Sequence, residues 1–544
     1  MRKTFVILFV AVLIGAIPAY AELQNVDIGG SIRIRGNWYD PEASVDSARA
    51  RNPLVDPLWT LSGAGTPNVR WTALQLAARP IGALAAPAGA LLSGWSWDDN
   101  GHSTAFVEER TRLKFTADFT DEVTAVIELD SYDIWGEDFR SNYITGADMR
   151  AASVNDVEVY QAYIEGREMW GLPLCLRIGR QEISLGNEWL VGVNDTSSMF
   201  TGLSFDGILA VYEFDLVTVA GVWAKLAETS PTEEDGDVDL YGIYATYNGL
   251  EDITIDGYWM LVRDARMNED ITRGWVGEWL EDVFDVDDHD VTKCHTIGLR
   301  GAGTVGAIDF EAEAAYQFGE ADMVGATFAP ILYSDDDADF DEWGMNLEVG
   351  YTFDTAWEPR AYLGLVYLGG EDERDIGNIW EWFRQFLPFY RPDASVSFNR
   401  LFSNVEYSEF LDNTSLSNVW IGRAGVSACP TENVELLLSI SYFEAVEEFD
   451  APWHFYWLNG NRVAPFAFLS IFTEENDDEL GWEVGLYATY NYSEDLTFKA
   501  GWAHLFVDDG LEEGNFVPGN GLLFNGGTDD DDADYLFVET KICF

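Results

Sequence analysis

The chain has little cysteine, and what it has is scattered. Cys175, Cys294, Cys429 and Cys543 form no C-x-x-C pair and no C-x-x-C-H, which excludes a thiol redox motif and covalent haem. These four read as small, partly buried strand residues, with no redox or metal role. Histidine is nearly as sparse. His102, His289, His295, His454 and His504 lack a metal-like or serine-rich pattern, and only His295 and His504 fall inside expected strands, as wall or girdle residues. An enzyme needs a nucleophile, a base and an orienting acid close together. No such set is visible, so no catalytic residue, metal or cofactor is assigned. Basic residues are also few: 31 Lys and Arg stand against 95 Asp and Glu, a net charge of −64. That balance excludes nucleic acid as a partner and polyanion binding on the outer surface. After the first twenty or so residues no apolar run reaches the ~20 residues of a membrane helix. The most apolar remainder, Trp71 to Trp97, is broken by Pro80 and Pro87. This leaves open a membrane protein built from strands.

What is present is hydrophobic patterning without long runs. Hydrophobic residues make up 47% of the chain, which excludes disorder despite the charge. Aromatics at 14% and 50 glycines are both high for a globular protein. Arg2 and Lys3, an apolar stretch from Phe5 to Ile17, and Ala19-Tyr20-Ala21 make a secretory signal over residues 1–21. No linker or compositional shift divides residues 22–544, which therefore read as one domain.

Period-2 alternation marks about eighteen strands. In the first, Ile28, Ile32, Ile34 and Trp38 share one face while Arg33, Arg35 and Asn37 share the other. The connections alternate between short turns, such as Asn248-Gly249-Leu250 and Ser493-Glu494, and long loops, notably 40–104, 264–290, 370–415 and 447–478. Short turns on one side and long loops on the other are the pattern of an outer-membrane barrel with both termini in the periplasm. The expected fold is thus all-β: a single transmembrane antiparallel β-barrel of about eighteen strands, facing outer-membrane lipid and lipopolysaccharide. The last strand ends at Phe544 and resembles the assembly signal of bacterial outer-membrane barrels, which implies contact with the barrel-assembly machinery.

Charge on the inward parity is sorted along the chain. Arg33, Arg35, Arg110, Arg112, Lys114 and Arg177 come early, whereas Asp256, Asp309, Glu311, Glu313, Glu348, Glu435 and Glu483 come late. Arg300, Arg360 and Arg423 add cations on the later strands. In an eighteen-strand ring the early and late sets stand opposite each other, so a basic wall is expected to face an acidic wall across a water-filled lumen. Acidic clusters (Glu233 to Asp239, Asp285 to Asp290, Asp335 to Asp341, Glu474 to Glu479, Asp529 to Asp532) read as solvated loop charge, with divalent-cation binding as the alternative and no specific site assigned. The loop 40–104 and the loop carrying Trp380 and Trp382 are candidate plugs or constrictions.

The stretch Leu176-Arg177-Ile178-Gly179-Arg180-Gln181-Glu182-Ile183-Ser184-Leu185-Gly186 resembles the Gly-Arg-Gln core of the alginate-export family of outer-membrane porins. Gln161-Ala162-Tyr163-Ile164, Trp189-Leu190-Val191-Gly192, Phe205-Asp206-Gly207 and Phe398-Asn399-Arg400-Leu401-Phe402 continue the likeness. The resemblance implies a monomeric eighteen-strand barrel with an arginine-rich conduit for an anionic polysaccharide. It makes Arg177 and Arg180 pore-lining carboxylate ligands. In the alternation itself the outward face flips between Ile178 and Ile183: a bulge near Gly179 would turn both arginines inward, and a strand that ends at Gly179 is the alternative. The acidic excess departs from that family picture. Passage of small polar or cationic solutes through a general porin is the alternative function. A structural or adhesive surface protein is the alternative of another class.

Overall fold

A computed structural model describes residues 23–40, 103–120, 122–135, 157–193, 195, 202–228, 237–265, 291–320, 338–370, 394–412, 416–447, 450–452, 456–458, 461–463, 473–475, 477–513 and 532–544. Residues 1–21, read above as a secretory signal, most of the loop 40–104, Trp380, Trp382 and most of the acidic clusters lie outside the described residues.

Eighteen long strands form one closed antiparallel sheet. They are β1 (Asn25–Asp40), β2 (Thr104–Thr120), β3 (Val123–Ile134), β4 (Glu158–Gly166), β5 (Leu174–Gln181), β6 (Phe205–Glu213), β7 (Val217–Ala227), β8 (Val238–Leu250) and β9 (Ile253–Asp264). The ring continues through β10 (Thr292–Val305), β11 (Ile308–Glu320), β12 (Ala338–Thr352), β13 (Arg360–Leu368), β14 (Val419–Thr431), β15 (Val434–Ala445), β16 (Glu479–Asn491), β17 (Leu496–Val507) and β18 (Ala533–Cys543). Each pairs with its sequence neighbours, and β1 pairs with β18 from Ser31↔Cys543 to Asp40↔Asp534, so no edge remains. Phe544 completes the seam by a reciprocal backbone pair with Gly30, at 2.9 and 3.0 Å. A Cβ at Gly30 would stand 2.5 Å from the Arg112 carbonyl oxygen and 2.9 Å from the Phe544 ring, so only glycine fits there.

All short connections (121–122, 167–173, 214–216, 251–252, 306–307, 353–359, 432–433, 492–495) fall at one end with the termini, and the longer ones fall at the other. The expected alternation is therefore present throughout the ring. Beyond it, Ala394–Val396 pairs in parallel with the start of β12, and two small hairpins decorate the connection after β15.

The outer face is apolar across its middle: Ile127, Ile243, Ile297, Leu299, Leu347, Leu363, Leu438, Leu486 and Val538 are all exposed there. Two aromatic belts flank it. Near the long loops, His295 stacks on Phe318 at 5.0 Å, Tyr316 meets Trp343 at 4.9 Å, and His504 meets Phe506 at 4.4 Å. Near the short turns, Tyr212 meets Phe214 at 4.5 Å and Tyr351 meets Phe353 at 4.8 Å. An apolar band between two aromatic girdles is the surface a lipid bilayer requires. His295 and His504 are girdle residues, as their sequence position suggested. The four cysteines lie in strands and are free thiols; Cys429 and Cys543 are exposed rather than partly buried.

Candidate functional site: the charged lumen

The inner face is where the polar strand residues gather. Tight turns set the register that brings them together. The two-residue connection after β2 aligns Lys114 with Glu128 and Arg112 with Asp130, so the three cations Arg110, Arg112 and Lys114 lie beside two carboxylates on β3. Arg110 forks onto Asp130, with Nη2 to Oδ2 at 2.6 Å and Nε to the same oxygen at 2.9 Å. Arg112 pairs with Glu128 and reaches Glu182 at 2.8 Å and Asp195 at 3.3 Å. Arg33 and Arg35 converge on Glu539 of β18, at 2.9 and 2.7 Å, and Glu539 is 1% exposed. Arg177 donates to Glu165 at 2.7 Å. Several of these guanidiniums also lie over rings: Arg110 and Arg112 over Tyr160 at 5.0 and 4.8 Å, and Arg177 over Tyr163 at 4.6 Å.

The late strands repeat the arrangement with the balance reversed. Arg300 bonds Asp256 at 2.7 Å and Glu311 at 3.0 Å, while Glu313 accepts the Tyr258 hydroxyl at 2.7 Å. Arg360 reaches Asp309 at 2.5 Å and Glu348 at 2.8 Å, crossing Gly350, where a Cβ would sit 2.5 Å from its Nε. Arg423 lies over the Tyr407 ring at 5.3 Å. Cations outnumber carboxylates on the inner face from β17 through β2, and carboxylates outnumber cations from β9 through β12. The arginines named for the basic wall, apart from Arg423, meet carboxylates close by rather than only across the lumen. Glu435 is exposed on the inner face of β15, and Glu483 is buried.

Two connections turn inward at the long-loop half. The segment after β5 and the segment before β14 pair with each other through Val191↔Phe402, Gly192 N to Phe402 O at 2.9 Å, and Phe402 N to Leu190 O at 2.8 Å. Trp189 stacks on Phe398 at 5.7 Å, and both are fully buried against inner-face residues of the strands. Arg400 and Asp412 form an ion pair at 2.8 Å, 1% and 0% exposed, which ties the second segment together. Burial pushes the Tyr407 hydroxyl up to about 12, so it stays protonated as it packs under Arg400 and Arg423. Glu483 accepts from the Ser408 hydroxyl and from the Glu409 amide at 3.2 Å, fixing this segment to β16. Arg33 donates to the Asp195 carbonyl at 2.8 Å, fixing the first segment to β1. The outer half of the barrel is thus packed, whereas inner-face positions near the short turns, such as Lys499 and Glu435, stay exposed.

The Gly-Arg-Gln stretch corrects one expectation. The register runs unbroken from Leu176↔Ala210 to Gln181↔Phe205, so no bulge flips the face inside β5. Arg180 keeps the outward parity of Ile178 and pairs with Asp206 at 2.8 Å, the two side chains 45% and 54% exposed. Only Arg177 of the two points inward. The face changes because the strand ends at Gln181 and the chain dives into the barrel, burying Ile183. Gly179 has φ +131°, and a Cβ there would meet the Ala162 carbonyl oxygen at 2.2 Å, so this position needs glycine. Buried Gln181 caps the turn by donating to the Gly207 carbonyl at 3.1 Å. The motif is a backbone device here. Sequence reasoning missed Lys499 and the Arg400–Asp412 pair. The alternation of β17 held the signal for Lys499, since Thr497, Lys499 and Gly501 share a face opposite Phe498 and Trp502.

No curated protein sequence matches this chain. Among solved structures, Pseudomonas aeruginosa OccK8 (OprE) is similar with 9% identity and a TM-score of 0.49, over 95% of this chain and 98% of that one. OccK11 (OpdR) of the same organism shares 7% identity at a TM-score of 0.47, over 97% and 100%. OccAB3 of Acinetobacter baumannii shares 9% at 0.48, over 95% and 100%. The family model described as alginate export matches residues 98–516. That span holds most of the strands and both inward segments, and the chain belongs to the alginate-export family.

Proposed function

We propose that this outer-membrane barrel passes carboxylate-bearing hydrophilic solutes, polysaccharide or its fragments, along the cationic side of its lumen. The chain is a channel of the alginate-export family, and the solute and its path are our reading. The sorting of charge on the inner face carries it. From β17 to β2, Lys114, Arg33, Arg35, Arg110, Arg112, Lys499 and Lys541 outnumber their carboxylate partners, and the next inner positions, Glu128 and Asp130 of β3 and Glu165 of β4, bound that side. A low-dielectric wall strengthens such a field within a narrow aqueous path. The net charge of −64 disfavours approach of a polyanion from outside, which suits movement outward from the short-turn side. In this reading the barrel acts as a monomer, its loops meet lipopolysaccharide, and the strand ending at Phe544 is its contact with the assembly machinery.

Liposomes carrying the mature chain test the proposal by swelling. Influx of sodium glucuronate should exceed that of a neutral sugar of the same size. Equal or slower glucuronate influx overturns it. A second reading, a general porin for small polar or cationic solutes, is favoured by the local neutralisation of the arginines; faster influx of an amino sugar would support that reading instead.

A further inference from the structure

The described lysines divide by position. Lys225 and Lys293 lie on the outer face at the long-loop ends, on carboxylates: Lys225 on Asp237 and Asp239, and Lys293 on Glu320. Lys114, Lys499 and Lys541 lie on the inner face of β2, β17 and β18, in the half nearer the short turns. Lys499 is exposed and the other two are half-buried. Among the described residues none of these three makes an ion pair or a side-chain hydrogen bond, whereas nearly every inward arginine does.

The register explains why. Lys499 stands opposite Glu539, whose carboxylate is taken by Arg33 and Arg35. Lys114 stands opposite Glu128, which already accepts from Arg112 and from Gln161 at 2.7 Å. Lys541 stands opposite Thr497 on one side and Arg33 on the other. On β1, between Lys541 and Lys114, Arg33 stands level with Lys541, and the small residues Ser31 and Gly29 hold the inner positions from there to Lys114. Adjacent like charges destabilise a sheet, and an anion from solution relieves that repulsion.

We propose that Lys114, Lys499 and Lys541 form a row of anion sites that takes the carboxylates of a sugar acid, while the paired arginines hold the wall in shape. The proposal rests on the reading of the barrel as an anion channel and deepens it. Lys499 and Lys541 are diagonal neighbours about 7–8 Å apart. Lys114 lies two strands further, roughly 10 Å sideways and, four residues nearer the short turns, roughly 13 Å along the strands. An ammonium on a flexible stem is a point charge that binds one carboxylate weakly and releases it, as successive sites in a conduit require. A guanidinium already forked onto a carboxylate has few donors left for this.

The test is single-channel recording of the mature chain in KCl, with sodium glucuronate added on the short-turn side. Wild type should be blocked. The K114Q/K499Q/K541Q variant should need about tenfold more glucuronate for half-block, as expected for losing three weak contacts. The K114R/K499R/K541R variant should keep the block, and R180Q on the outer face should match wild type. If the triple Gln chain fails to insert, K499Q alone decides, with about a twofold rise expected. No block of wild type overturns the anion-channel reading and this proposal with it. A block of wild type that the Gln variants leave unchanged overturns the proposal alone.

Discussion

Replacing Glu539 by Gln isolates what the buried ion pairs contribute. Glu539 is 1% exposed and receives Arg33 at 2.9 Å and Arg35 at 2.7 Å, with Arg35 itself 4% exposed. Removing one partner of a buried pair leaves an uncompensated charge and costs about 3–5 kcal/mol. Here two guanidiniums lose the same partner, so the upper part of that range applies. Two hydrogen bonds to a charged group, each worth roughly 1.5–3 kcal/mol, lead to the same figure. At about 1.4 kcal/mol per tenfold, a loss of about 4–5 kcal/mol lowers the folding equilibrium by roughly three to nearly four orders of magnitude. Urea unfolding of the barrel in vesicles, followed by the fluorescence of its tryptophans, measures this. The E539Q/R35Q double variant should recover part of the loss, since one stranded charge goes with its partner. E539Q within about 0.5 kcal/mol of wild type would refute the view that these pairs hold the wall.

Other substitutions probe other parts of the account. G179A forces a side chain into φ +131° and against the Ala162 carbonyl, and should cost at least about 1–3 kcal/mol in the same assay, whereas R180Q at an exposed pair should cost less than about 1 kcal/mol. L363R, at a lipid-facing position 69% exposed on β13, should cost about 2–4 kcal/mol in bilayers; no loss would place that residue outside the hydrocarbon. R400A strands buried Asp412, and chymotrypsin should nick between Phe398 and Phe410 at least about tenfold faster. An unchanged nicking rate would mean that the Arg400 pair does not fix the inward segment.

The barrel was legible in the sequence because membrane strands obey a period of two. Residues such as Phe498, Lys499, Ala500 and Gly501 declare their faces without help from tertiary contacts. The count of eighteen, the closure of β18 on β1 and the alternation of connections all followed from that periodicity. The pairing of the charged residues was not legible, because whether Arg112 meets Glu128, Glu182 or Asp195 depends on register and on a segment that leaves the wall. The inward segments have no period to read: Trp189, Phe398 and Leu411 are buried by contact with each other and with the wall, not by position in a strand. Arg180 misled because a motif gives residue order, whereas facing is set by backbone continuity through Gly179.

The most direct test of the charge-sorted lumen is the reversal potential of the wild-type channel in a planar bilayer under a KCl gradient. The excess of cations along β17 to β2 predicts a potential displaced toward that of chloride. A potential displaced toward that of potassium would mean that the acidic side governs passage, and would contradict the account.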